Sequence, residues 1–305
     1  MAFWLPRFTV GYSLAVKSRD VTAYVSLALI WGFSFLVLLK AVEAFGWIGA
    51  VTLRALMAGA ILFVVGTVAR RRFDFSAGWR PFAVVGSTTV AAQLVGMSFA
   101  TPRIGTAMAA ILVGTIPLFS MVISQLWGIE HITAVGRIGL VLGFGGIVLL
   151  VGFPAVPITG AFVLGCAGSL IGSVSAAFGS NFVRRRLHAV GSWEVTAGSF
   201  LFGGLLTLPL LFVVPIPTIP RPVDYGYLVL LGGVVSALAY VLYFRLVADL
   251  GATKAISVEF VVTVVAVLVG SFVLGERLSV VQVVGAVIII AGCVLVLAKQ
   301  RDLAS

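Results

Sequence analysis

Charge is scarce in this chain. Of its 305 residues, 10% are Asp, Glu, Lys or Arg and 61% are hydrophobic, against about a quarter charged in an average soluble domain. With a mean hydropathy of +1.20, too few polar groups exist to cover a surface in water, which excludes a soluble globular fold. Histidine is scarcer still. The two present, His131 and His188, lie between apolar runs, and the ten acids form no Asp-x-x-Asp or His-Glu-x-x-His cluster. An intramembrane lipid-modifying enzyme would need a nucleophile with its base, or carboxylates holding a metal-bound phosphate, and neither pattern is there. Only two cysteines occur, Cys166 and Cys293, both inside apolar runs; they form no disulfide framework or metal site and read as small apolar packing groups. A Walker A phosphate loop is also missing, so the chain does not draw on ATP by that route.

What is abundant is the apolar run of membrane-spanning length. Hydrocarbon about 30 Å thick needs roughly twenty apolar helical residues to cross it. Runs at 22–39, 46–69, 80–100, 104–127, 134–152, 159–183, 193–214, 225–247, 255–274 and 279–298 meet that need. The expected class is therefore an all-α membrane protein of ten transmembrane helices. The breaks carry turn chemistry, as at Thr101-Pro102-Arg103, Phe153-Pro154 and the proline-rich 214–222, where continuing a helix is costly. No connection is long enough to hold a soluble domain. Residues 1–21, whose apolar stretch from Phe8 to Val16 is too short to span, are expected to form a tail, as are residues 299–305.

A net charge of +10 invites a nucleic-acid reading, but the distribution of that charge argues for a membrane instead. Lys40, Arg54, Arg103, Arg221 and Arg277 fall towards one side of the alternating spans; the other fifteen of the twenty Lys and Arg, including Arg70, Arg71 and Arg72 and Arg184, Arg185 and Arg186, fall on the side that holds both termini. The positive-inside rule puts that side in the cytoplasm. The expectation is a multi-pass protein of the cytoplasmic, or inner, membrane, with lipid as its solvent, both termini inside, and no nucleic-acid partner.

Shifting the chain against itself by 146 residues superposes Gly86 on Gly232, Gly105 on Gly251, Glu130 on Glu276, Gly139 on Gly285 and Gly146 on Gly292, with Trp47 on Trp193. These are turn and close-packing residues, harder to match by shared oiliness than Leu or Val. The halves, 22–153 and 154–298, read as duplicated five-helix units. Because five is odd, the second enters the membrane from the opposite side, which gives two inverted five-helix repeats. The basic clusters agree: they follow the second run in one half and the sixth in the other, tracking the side of the membrane and not the repeat position.

Several short strings, taken in order, resemble the ten-helix EamA type of the drug/metabolite transporter superfamily over residues 22–298. They are Trp31-Gly32-Phe33-Ser34-Phe35 followed by Lys40, Thr52-Leu53-Arg54, Pro117 ahead of Gly128-Ile129-Glu130, Ala239-Tyr240 through Phe244-Arg245, Gly251-Ala252-Thr253-Lys254-Ala255, and Leu274-Gly275-Glu276-Arg277. The resemblance implies a secondary active transporter, not an enzyme, that exports a small metabolite such as an amino acid by gradient-driven alternating access, without cofactor or metal, as a monomer or homodimer. A lipid flippase or a non-transporting membrane partner is the alternative. One position departs from the pattern: Thr263 stands where the second repeat would carry the counterpart of Pro117, which leaves a kink there open.

Within the spans, the groups that an ordinary apolar core would avoid are the candidates for contact with a solute. Arg54 has three readings: snorkelling to the outer interface, receiving a carboxylate or other anion, or a structural ion pair. Glu259 opens the ninth run. A carboxylate there is favoured by the helix dipole alone, while facing a cavity it would exchange a coupling proton or hold a cation. Trp31, Ser34, Gln93, Asn181 and Tyr240 supply aromatic faces and neutral hydrogen-bonding groups near mid-span, and equally read as packing or inter-helix bonds. Glu130 and Glu276 read as scaffold groups that cap or terminate helices. The Gly139-to-Gly143 spacing reads as a small-xxx-small surface used inside the bundle or in a dimer.

Overall fold

A computed structural model describes residues 18–71, 73–129, 133–154, 157–217, 219–250 and 255–298, and all secondary structure among them is helical. Ten spans result, as expected: α1 at 18–45, α2 at 47–68, α3 Trp79–Ile104, α4 Thr106–Leu126, α5 Ala134–Gly152, α6 Gly160–Arg186, α7 Ser192–Phe212, α8 Pro222–Leu250, α9 Val258–Val273 and α10 Val280–Ala298. Helices are the form that pairs every backbone group within its own segment, which hydrocarbon demands. Glu130, His131, Gly251, Lys254 and both expected tails beyond residues 18–298 lie outside the described residues.

Two boundaries differ from the sequence reading for local reasons. Helix α1 begins at Ser18, inside the expected tail, and continues past Lys40 to residue 45. Lys40 and Glu43 look like loop residues but form an i,i+3 ion pair at 2.9 Å along the helix. The turn into α2 is then a single residue, Gly46, at φ 72° and ψ 166°. Only glycine adopts that backbone freely, and a Cβ there would also stand 3.1 Å from Pro217 Cδ. The second difference is at Thr101-Pro102-Arg103, which does not break the chain: α3 runs through Pro102 and stops at Gly105 (φ 82°). Pro102 sits in the last turn, flanked by two side chains bonded back to the helix, Thr101 Oγ1 donating to Met97 O at 2.8 Å and Arg103 Nη1 to Phe99 O at 2.6 Å.

The repeats interlock. Helix α4 packs on α9, α5 on α10, and α2 on α7, so each unit buries its apolar faces against the other. The α5–α10 seam displays the inversion directly. A Cβ on Gly146 would lie 2.8 Å from Gly285 O, and one on Gly292 would lie 2.6 Å from Gly139 O. Because Gly139 and Gly285, like Gly146 and Gly292, are one repeat shift apart, the two contacts exchange under a twofold axis through the seam. The small-residue surface is thus spent inside the bundle, and the backbones approach closely there.

Two spans carry π-helical segments, Gly86–Ala92 in α3 and Leu230–Leu238 in α8. The first, moved by the repeat shift, falls on 232–238, so the irregularity belongs to the duplicated unit. Such wide turns re-aim side chains and recur at functional sites. The first segment immediately precedes Gln93; the second contains Val235 and Ser236.

Candidate functional site

Where the repeats meet, side chains from α1, α2, α3, α4, α8 and α9 enclose a cavity of about 30 Å³, room for about two waters. Trp31, Ser34, Arg54, Gln93, Tyr240 and Glu259 all line it, bringing together six of the seven positions that the sequence singled out. Leu94 with Tyr240, and Val113 with Glu259, are repeat equivalents that line it jointly, so the cavity sits on the pseudo-twofold axis.

Asn181 is elsewhere. Its Nδ2 donates to Ser120 Oγ at 2.8 Å and to the carbonyls of Ser120 (3.3 Å) and Ala177 (2.9 Å), which ties α6 to α4 as an inter-helix bond. Sequence reasoning also passed over Phe35, Leu94, Met97, Val113, Val235 and Val262, which form the apolar wall. For Leu94 and Val113 a signal existed, since each is the counterpart of a polar candidate one repeat away.

Arg54 is 1% exposed, which rules out snorkelling. Its Nε donates to Ser236 Oγ at 2.9 Å, its Nη1 is buried without a hydrogen-bond partner, and no ion pair involves it among the described residues. A fully buried guanidinium without a counter-ion is costly, and here it faces the cavity. Gln93 Oε1 is likewise buried and unpartnered. Glu259 is 6% exposed at the N-terminal turn of α9, where the helix dipole and the cavity both act on it, and it too forms no ion pair among the described residues. One cavity therefore holds a cation and an acid that do not neutralise each other.

The duplicated positions differ in the polar groups they carry. Arg54 corresponds to Phe200, Gln93 to Ala239 and Glu259 to Val113: the polar set lies on one copy of each pair only, and the scaffold is symmetric where the site is not. Phe200 stacks edge-on against Tyr240, ring centroids 4.8 Å apart. Trp31 lies 5.1 Å from Tyr240 and donates from Nε1 to Val235 O at 3.2 Å, fastening α1 to the π segment of α8.

Towards the end of the bundle that carries Arg70, Arg71 and Arg184 to Arg186, the cavity is closed in layers. Tyr240, Tyr243 and Phe244 form a ring cluster; beyond it Tyr24 Oη lies 3.1 Å from Ser257 Oγ and Arg245 pairs with buried Asp20 at 3.1 Å. Thr263 does not kink α9, which is continuous through it; the hydroxyl donates to Glu259 O at 2.7 Å and lies 3.2 Å from Ala110 O on α4. Glu276 caps a helix, but across the repeats: its Oε1 accepts from Thr106 N (2.7 Å) and Oγ1 (2.9 Å), and its Oε2 from Ala107 N (2.8 Å), at the start of α4.

A membrane-embedded inverted repeat around an axial cavity with uncompensated charges fits a membrane transporter. The family model described as "EamA-like transporter family" matches residues 21–152 and again 163–298, and the chain belongs to that family. It is a membrane transporter. It is 28% identical over 288 residues to "Uncharacterized inner membrane transporter YedA" of Escherichia coli (strain K12), covering 90% of this chain and 89% of that one. It is also 28% identical over 296 residues to "Protein PecM" of Dickeya dadantii (strain 3937), covering 92% of each. A solved crystal structure superposes with a TM-score of 0.66 at 18% identity, over 94% of this chain and 99% of that chain, which is a likeness of fold.

Proposed function

We propose that the chain is a secondary active exporter of the inner membrane, with both termini in the cytoplasm, that carries a small carboxylate-bearing metabolite such as an amino acid by alternating access. Arg54 receives the carboxylate, with its idle Nη1 completing a charge-assisted hydrogen bond. Glu259 exchanges a proton, or meets the ammonium of a zwitterion, and so links the solute to the gradient. Trp31 and Tyr240 supply the apolar faces of the site. The observation that carries this reading is the buried, unpaired guanidinium of Arg54 in a cavity shared with unpaired Glu259. The cavity's small size means that the repeats must rock apart to admit a solute. The relatives named as inner membrane transporters and the charge asymmetry of the connections support the location and orientation.

The test is uptake and efflux of a panel of radiolabelled amino acids and related acids in proteoliposomes with imposed pH gradients. The expected result is gradient-driven flux of at least one of them, abolished in Arg54→Gln. Truncating one partner of a buried charge-assisted bond costs about 2–5 kcal/mol, or roughly 30-fold or more in affinity. Glu259→Gln should keep solute exchange but lose its response to the pH gradient. Flux unchanged in Arg54→Gln would overturn the assignment of the anion site, and coupling unchanged in Glu259→Gln would reject the proton role.

A further inference from the structure

A second space adjoins the cavity from the lipid side. Between α1 and α8, Leu29, Phe33 and Val37 face Leu230 and Val234 across an open groove of about 300 Å³ with an almost wholly apolar wall, at the lower end of the ~300–1,000 Å³ of small-molecule sites. Phe33 and Leu230, 52% and 47% exposed, form its lips. Ser34 and Val235 are the residues common to groove and cavity, so a partition of two small side chains separates lipid from the space that Arg54 faces. On the α8 side this wall is π-helical, and it is fastened to α1 by the Trp31 Nε1 bond to Val235 O at 3.2 Å.

We propose that the groove is a lateral slot for the hydrocarbon part of an amphiphilic carboxylate, whose head sits on Arg54 while its alkyl or aryl tail lies between α1 and α8 against lipid. This rests on the anion role of Arg54 and extends it. A cavity of about 30 Å³ has no room for a tail, whereas the slot takes the tail of an acid arriving from water out of that water. The unpaired guanidinium selects a negative head, and the groove's lining selects an uncharged chain. Each methylene taken from water into the slot tightens binding roughly fourfold, so affinity rises with chain length until the slot is filled.

The test uses the full chain in nanodiscs, with the other five of its six tryptophans replaced by Phe so that Trp31 beside the site is the reporter, and quenching of its fluorescence by two brominated acids, 3-bromopropanoate and 8-bromooctanoate. Wild type should show saturable quenching by both, at least tenfold tighter for the eight-carbon acid. Val234→Phe fills the groove from an exposed position and should weaken 8-bromooctanoate at least tenfold while leaving 3-bromopropanoate unchanged. Val283→Phe, at an exposed position of α10, should change neither. Arg54→Gln should abolish saturable quenching by both acids. If Val234→Phe keeps the wild-type preference for the longer acid, or if wild type binds both acids equally, the slot is overturned while the anion site stands. If wild type shows no saturable quenching by either acid, the anion site itself falls and the slot with it.

Discussion

At the scale of single residues, the site is defined by groups that pay a folding penalty. Arg54 leaves a guanidinium nitrogen without a partner in a buried place, and an unsatisfied buried polar group costs about 1–3 kcal/mol. A core built for stability alone would hold Met or Phe there, and the duplicated position does hold Phe200. Arg54→Met should therefore raise the thermal unfolding midpoint of the purified protein while eliminating carboxylate binding; a midpoint that falls would mean that the arginine is structural. The sequence made Arg54 and Glu259 conspicuous because charge within an apolar run is rare. It left the choice between snorkelling, pairing and anion binding open, because exposure and partners are properties of the assembled bundle. Asn181 shows the converse: its polarity stood out equally, but the assembled neighbours are Ser120 and Ala177 and not the cavity.

At the scale of elements, the α5–α10 seam and the π segments carry the architecture. A Cβ on Gly146 or Gly292 would stand 2.6–2.9 Å from backbone atoms, and a main chain cannot swing aside as a flexible side chain does. Gly146→Val should destabilise the bundle by about 1–3 kcal/mol or more, the ordinary range for overpacking, whereas Gly145→Val, where a Cβ meets nothing within 4 Å, should be close to neutral. Thermal melts of the two variants in one detergent check this, and equal loss in both would contradict the seam. The repeated glycines marked α5 and α10 as close-packing helices in the sequence, but not which glycine meets which: Gly146 meets Gly285 and Gly292 meets Gly139, pairs that exchange under the repeat. Helix ends were less legible. Lys40 and Glu43 read as a loop because charge is usually interfacial, and their pairing along α1 shows only in three dimensions; Pro102 read as a stop, but α3 continues past it to Ile104. The π segments have no composition that marks them, since they arise from how a turn packs and not from which residues it contains.

At the scale of the whole molecule, the transporter places an asymmetric site on a symmetric frame. On the proposed mechanism, exchange of the two repeats' conformations about the axis would move the opening from one face to the other while the axial cavity stays put, with Arg54, Gln93 and Glu259 lining that pivot. The measurement that tests this most directly is access of a membrane-impermeant maleimide to Met97→Cys, a cavity position, with Cys166 and Cys293 replaced by Ala. In sealed vesicles of each orientation, the reagent should reach that cysteine from both faces, and an excess of a transported acid should slow labelling from both. Labelling from one face only, with the other closed under every gradient imposed, would contradict alternating access through this cavity.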